Sequence, residues 1–145
     1  NEQVRFVKSL LERYRPDILV ITGHDGMLRG ETKYNDIYNY RNSRYFINSV
    51  MEARRWDNKG RDLVIFAGAC QSYYEAIIGA GANFASSPGR ILIDFMDPLI
   101  VAEKIATTDE SKYVTISDIE RNLRDGIKGV NGIGAMGKKK IVTKM

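Results

Sequence analysis

Cysteine is almost missing from this 145-residue chain. Cys70 stands alone, so no intrachain disulfide can form and no cysteine pair is present to build a zinc site. Histidine is equally scarce: His24 is the single imidazole, too little for a metal centre, and no metal is expected. Long apolar runs are absent as well. The longest, Ile18 to Ile21 and Leu63 to Ala67, fall far short of the ~20 residues that cross a bilayer, which excludes a membrane helix and points away from a membrane partner. The chain opens Asn1-Glu2-Gln3-Val4, with no initiator Met, basic n-region or apolar h-region, and reads as a piece of a longer protein with an upstream domain. A strong excess of one charge is lacking too. Lys and Arg number 22 against 18 Asp and Glu, a net +4 that falls well below a dedicated nucleic-acid binder, so nucleic acid is not the expected partner. What remains is a globular composition, 43% hydrophobic and 28% charged, of a size for one domain over residues 1–145.

Periodicity organises that domain. Val4, Val7, Leu10, Leu11 and Tyr14 recur at helical spacing over residues 2–15, and Pro16 ends the helix. Asp17 to Thr22 follows as a strand with the short, branched, uninterrupted core of a central parallel strand. Gly26 to Tyr40 has no period and reads as a long loop on the active face. Ser43 is placed to cap a helix to about Asp57, with Tyr45, Phe46, Val50, Ala53 and Trp56 on its apolar side and Asn58-Lys59-Gly60 as its stop. Leu63 to Ala67 is a second buried strand, turning through Gly68-Ala69-Cys70 directly into a helix from about Gln71 to Ile78, closed by Gly79-Ala80-Gly81.

Asn83 to Ser86 makes a third strand, and Ile91 to Ile93 a further strand or extended segment. Asp97 is expected to cap the next helix, with Pro98 at its first position and Leu99, Ile100, Val101, Ile105 and Ala106 on its buried side. Tyr113 to Ile116 reads as a strand, Ser117 to Glu120 as a capping box opening a helix to about Arg124, and Ile141 to Lys144 as a last strand after a glycine-rich stretch and Lys138-Lys139-Lys140. Strands alternating with helices predict a three-layer α/β/α sandwich around a mostly parallel sheet.

Two of the predicted strands end alike, in small-residue turns that each carry one reactive group: Ile21-Thr22-Gly23-His24 and Ala67-Gly68-Ala69-Cys70. In an open parallel sheet the C-terminal strand ends share one edge, so neighbouring strands place His24 and Cys70 side by side. An imidazole beside a thiol takes its proton or steadies its thiolate, and the start of a helix adds a favourable dipole. Cys70 then serves as nucleophile with His24 as its base, and backbone N–H groups at Gly26 and Cys70 are the expected oxyanion donors.

The block Ile21-Thr22-Gly23-His24-Asp25-Gly26, followed by Phe66-Ala67-Gly68-Ala69-Cys70-Gln71 and the stretch to Pro88, resembles the caspase-like cysteine peptidases, the group of caspases, clostripain, gingipains and legumain. Within that group it is most similar to the YabG family of sporulation-specific proteases of endospore-forming bacteria, and the likeness covers most of the chain. The resemblance implies a caspase-like fold and a cysteine endopeptidase with no metal or other cofactor. It implies cleavage of spore coat and related sporulation proteins after Arg, in the mother-cell cytoplasm and spore coat. His24 takes the position of the family's catalytic histidine and Cys70 that of its nucleophile.

Two positions depart from the wider caspase-like pattern. Asp25 stands where those enzymes usually have glycine after the histidine, and Gly68 stands where several Arg-specific members carry an acid. The carboxylate for a substrate Arg must come from elsewhere, with Asp94 first and Asp25 second, beside a pocket of small residues at Ser86 and Ser87.

Rival readings are a non-peptidase α/β module, binding nucleotide through Gly79-Ala80-Gly81 or nucleic acid through Gly132 to Ile141, with Cys70 as a buried structural thiol. A glutamine amidotransferase also places its cysteine on a strand-to-helix turn, but its histidine follows the cysteine, whereas His24 precedes Cys70.

Overall fold

In the computed structural model of the chain, which describes residues 2–26, 28, 36–57 and 62–140, Pro16 sets the first boundary. Its ring disfavours helical geometry at the preceding residue, and α1 (Glu2–Tyr14) ends there, with Arg15 at φ 48° donating its N–H to the Leu11 carbonyl. Val7 and Leu11 form the buried stripe of this helix, while Leu10 and Tyr14, expected inside, face solvent. The chain then runs β1 (Ile18–Ile21), α2 (Ser43–Trp56), β2 (Val64–Ala67), α3 (Tyr74–Ala80), β3 (Phe84–Ser86) and α4 (Asp97–Thr107). Three short strands follow: β4 (Tyr113–Val114), β5 (Val130–Gly132) and β6 (Ala135–Met136).

The main sheet has the order β1-β2-β3-β5, with the first three strands parallel and β5 antiparallel to β3. β4 and β6 pair with each other in a second, two-stranded sheet. Strand alternation decides which way each residue faces. Ile65, Ala67 and Ala85 meet Val7, Leu11, Phe46, Val50, Ala53 and Ile77 on one side, beneath α1, α2 and α3. Val64, Phe66 and Phe84 meet Val101 and Ile105 of α4, with Val114, Ile119 and Val130, on the other. The result is a three-layer α/β/α sandwich, the architecture implied by the caspase-like resemblance.

Several sequence expectations change. Among the described residues β1 is an edge strand, not a central one: a run of branched residues reports that both faces are covered and says nothing about both edges. Asn42, not Ser43, holds the cap position of α2, and Met96, not Asp97, that of α4. Leu99 and Ala106 of α4 lie at the surface, leaving Val101 and Ile105 as its buried stripe. The helix after Cys70 starts at Tyr74 rather than Gln71. The capping box forms two residues earlier than expected, between Thr115 and Asp118, and opens short 3-10 turns instead of an α-helix. Ile91 to Ile93 is extended but unpaired as a strand.

The glycine-rich stretch is structured. Gly132 lies in β5 opposite Phe84, where a Cβ would stand 2.2 Å from the Asn83 carbonyl, so only glycine allows this strand to close on β3. Paired strands over Val130 to Met136 replace the nucleic-acid clamp considered there, and Gly79-Ala80-Gly81 ends a helix against Arg54 rather than opening one after a strand. The body of the Gly26 to Tyr40 loop, the stop at Asn58-Lys59-Gly60 and the strand expected over Ile141 to Lys144 fall mostly or wholly outside the described residues. Among the described residues no helix is long and apolar enough to cross a membrane.

Asp97 is the buried charge of the second core. One carboxylate oxygen accepts the Arg124 N–H at 3.3 Å, and among the described residues the other has no partner. Burial holds its pKa above the ordinary 3.8, against the opposing pull of that N–H. Between the ordinary and the raised value the folded chain keeps a proton that the unfolded chain releases. Its stabilisation is therefore complete below about pH 3.8 and is lost as pH rises through the native value. Asp97→Asn cannot ionise and removes that slope. Urea unfolding of both proteins across mildly acid pH should show wild type losing stability relative to the variant as pH rises, and parallel profiles would contradict the assignment.

Candidate active site

The register of β1 on β2, Ile18 opposite Val64 through Ile21 opposite Ala67, makes the two strands end level with each other. Thr22-Gly23-His24 and Gly68-Ala69-Cys70 therefore leave the sheet at the same edge. His24 and Cys70 line one cleft of about 490 Å³, together with Thr22, Gly68, Ile93, Phe95 and Leu99. Its walls are mainly apolar, with the histidine and the thiol as the groups able to do acid-base or nucleophilic chemistry.

Cys70 is half-buried and sits in a tight turn four residues ahead of the first residue of α3, so the helix dipole expected to act on it begins further along the chain. Ala69 N–H donates to Ser72 Oγ at 2.8 Å, and Gln71, at φ 60°, donates its N–H to Ser87 Oγ at 3.0 Å. Ile93 N–H donates to Cys70 Sγ at 3.3 Å, which draws the extended segment Ile91 to Ile93 across the sulfur. Ser87 Oγ holds the start of that segment by donating to the Ile91 carbonyl at 2.7 Å. Among the described residues, the Cys70 N–H donates to no acceptor.

His24 is exposed at its loop, and its carbonyl accepts Asn42 Nδ2 at 2.8 Å. The next residue anchors the loop. Asp25 Oδ1 accepts the N–H of Gly26 at 2.8 Å and of Asn42 at 2.9 Å, and its Oδ2 accepts the Ser43 hydroxyl. Ser43 Oγ in turn accepts the Tyr73 N–H at 2.8 Å, from the turn that carries Cys70. The rings of Tyr40 and Tyr73 stack at 4.9 Å and 12°, a second contact between the same two segments.

The predicted site residues divide accordingly. His24 and Cys70 come together at one cleft. Gly26, expected as an oxyanion donor, is buried and its N–H donates to Asp25 Oδ1. All three donors around Asp25 belong to the protein, so its carboxylate is structural. Asp94 is half-buried beside Ile93 and Phe95, which line the cleft, and its Oδ1 accepts Met96 N–H at 2.8 Å. Ser86 and Ser87 are fully buried and are not among the residues lining the cleft: Ser87 fastens the Gln71 turn to Ile91, and among the described residues the Ser86 hydroxyl has no partner.

Asn42, Ser43, Tyr73 and the Ile93 N–H escaped the sequence reading. Their partners lie 17 to 30 residues away along the chain, and no local pattern marks such pairs. Among the described residues no group of three or more His, Cys, Asp or Glu side chains is placed to hold a metal ion.

A family profile described as YabG peptidase U57 matches residues 1–143 of the chain. The sporulation-specific protease YabG of Bacillus subtilis strain 168 is 43% identical over 135 residues, which cover 93% of this chain and 47% of that protein. The chain thus spans about half the length of the curated relative it matches. No solved structure matches.

Gly68 shows why an acid is missing two residues before the cysteine. It has φ 119°, and a Cβ there would stand 3.2 Å from Ser86 N and 3.3 Å from Ser86 Cβ. Gly68→Ala should cost about 1–3 kcal/mol in denaturant unfolding, from backbone strain and crowding against β3. Unchanged stability would show that the turn relaxes freely.

Proposed function

The chain belongs to the YabG peptidase family, and from that membership we propose that it is the catalytic part of a cysteine endopeptidase working through a His24–Cys70 dyad. One observation supports the reading: the only histidine and the only cysteine of the sequence both line one cleft, each on the loop that leaves one of two adjacent parallel strands. His24 takes the Cys70 proton, and Sγ attacks the scissile carbonyl while Cys70 N–H donates to the developing oxyanion. His24 then protonates the leaving amine, and water hydrolyses the thioester. This route draws on no metal or cofactor.

Asp94 is the acid that pairs with a substrate Arg. It stands between Ile93 and Phe95, which line the cleft, and among the described residues one of its carboxylate oxygens has no donor, whereas both oxygens of Asp25 are engaged. Spore coat and related sporulation proteins are the proposed substrates, cut in the mother-cell cytoplasm and spore coat. The name of the B. subtilis relative, a sporulation-specific protease, supports the sporulation setting.

Cys70→Ala and Cys70→Ser should each lower cleavage of an Arg-containing peptide by at least ~10³-fold while circular dichroism stays native, because a nucleophile has no substitute. A folded Cys70→Ala protein that still cuts would refute the dyad, since a structural thiol tolerates alanine.

Asp94→Asn should raise KM for Arg substrates and shrink their advantage over neutral ones by roughly tenfold or more. Wild type should favour Arg over Lys by at least ~10-fold if the carboxylate pairs with both arms of the guanidinium. An unchanged preference in Asp94→Asn places the acid elsewhere.

A further inference from the structure

Forty-six residues of chain separate His24 from Cys70, and both stand on loops, so strand register alone leaves the distance between imidazole and sulfur loosely set. The first turn of α2 lies between the two loops and touches both. Ser43, its first residue, is fully buried. Its hydroxyl donates to Asp25 Oδ2, one residue after the histidine, and accepts the N–H of Tyr73, three residues after the cysteine.

We propose that Ser43 is a positioning residue of the dyad: one buried hydroxyl ties the His24 loop to the Cys70 turn and sets the geometry in which proton transfer occurs. The proposal rests on the dyad reading. Ser43 touches neither substrate nor reacting atom and acts only through the two loops it joins.

A comparison within the same helix supports a specific task for this hydroxyl. Ser49 is equally buried on α2, and among the described residues its Oγ has no partner, so burial of a serine on this helix does not by itself impose hydrogen bonds. At Ser43 the donor and the acceptor roles are both filled, and they point to different catalytic loops.

Removing the oxygen strands the part-buried Tyr73 N–H and one arm of the Asp25 carboxylate. The loops themselves stay attached. Asp25 keeps the N–H groups of Gly26 and Asn42, Asn42 Nδ2 keeps the His24 carbonyl, and Tyr40 keeps its stack on Tyr73. What is lost is the rigid link between the two halves, and displacements of about 1 Å between reacting groups cost as much as ~100-fold in rate.

The test uses the full chain and an Arg-containing fluorogenic peptide. Ser43→Ala should lower kcat by roughly 10- to 100-fold with KM changed less than about 2-fold, and should slow alkylation of Cys70 by iodoacetamide at neutral pH. Ser43→Thr keeps the hydroxyl and should recover most of both rates. Asp25→Asn weakens the same link from its other end, and the double variant with Ser43→Ala should be no slower than the slower single one, the mark of a shared interaction.

Native circular dichroism and cooperative unfolding qualify each variant, and Asp25→Asn serves if Ser43→Ala does not fold. A folded Ser43→Ala protein with wild-type kcat and wild-type alkylation overturns the proposal, and so does independent addition in the double variant. Failure of the dyad itself has a separate signature, cleavage that persists in Cys70→Ala, so the two readings fall by different results.

Discussion

Everything at this site depends on the parallel register between β1 and β2. With Ile21 opposite Ala67, the two strands finish at the same height and their exit loops occupy one edge of the sheet. A slip of one residue would turn each β1 side chain to the other face, bringing Leu19 out of the core under α1 and α2 and setting the histidine loop out of step with the cysteine turn. The register is held from both sides, because Ile65 and Ala67 pack into one core while Val64 and Phe66 pack into the other. Arg54 secures the opposite end of the sheet: its guanidinium donates to the carbonyls of Gly81 and Leu63 and to Asn83 Oδ1, tying α2 to the starts of β2 and β3.

Register brings the loops to one place, and the polar network then orients them. Asp25 fastens the histidine loop to the first turn of α2, while Ser87 and Ile93 fasten the segment after β3 to the cysteine turn. The departure from the usual glycine after the histidine thereby acquires a physical meaning. A carboxylate at that position collects two backbone N–H groups and a hydroxyl, which fixes this loop against the first turn of α2. The same carboxylate engages the Gly26 N–H.

Legibility in the sequence followed the range of the interactions. Four-residue branched runs announced β1 and β2, and helical spacing announced α1 and α2, because burial of a face imprints its period on nearby residues. His24 and Cys70 were legible for the same reason, each closing a strand of the same style. Caps misled by a residue: Ser43 and Asp97 both have capping chemistry, yet each lies inside its helix because a tertiary partner claims its side chain. Composition misled at the glycine-rich stretch, where small size reports close backbone approach at Gly132 rather than freedom.

By itself the sequence determined the alternation of strands and helices, the pairing of one histidine with one cysteine at strand ends, and the family. All three reside in local pattern or in direct likeness of residues. The tertiary structure alone decided that β1 lies at an edge among the described residues, that the Ile93 N–H meets the Cys70 sulfur, that Asp25 binds the first turn of α2, and that Ser43 joins the His24 loop to the Cys70 turn. Each of these depends on which distant segments meet. A hydrogen bond between residues 17 to 30 positions apart leaves no periodic trace along the chain, since only the folded backbone brings its donor and acceptor within 3 Å.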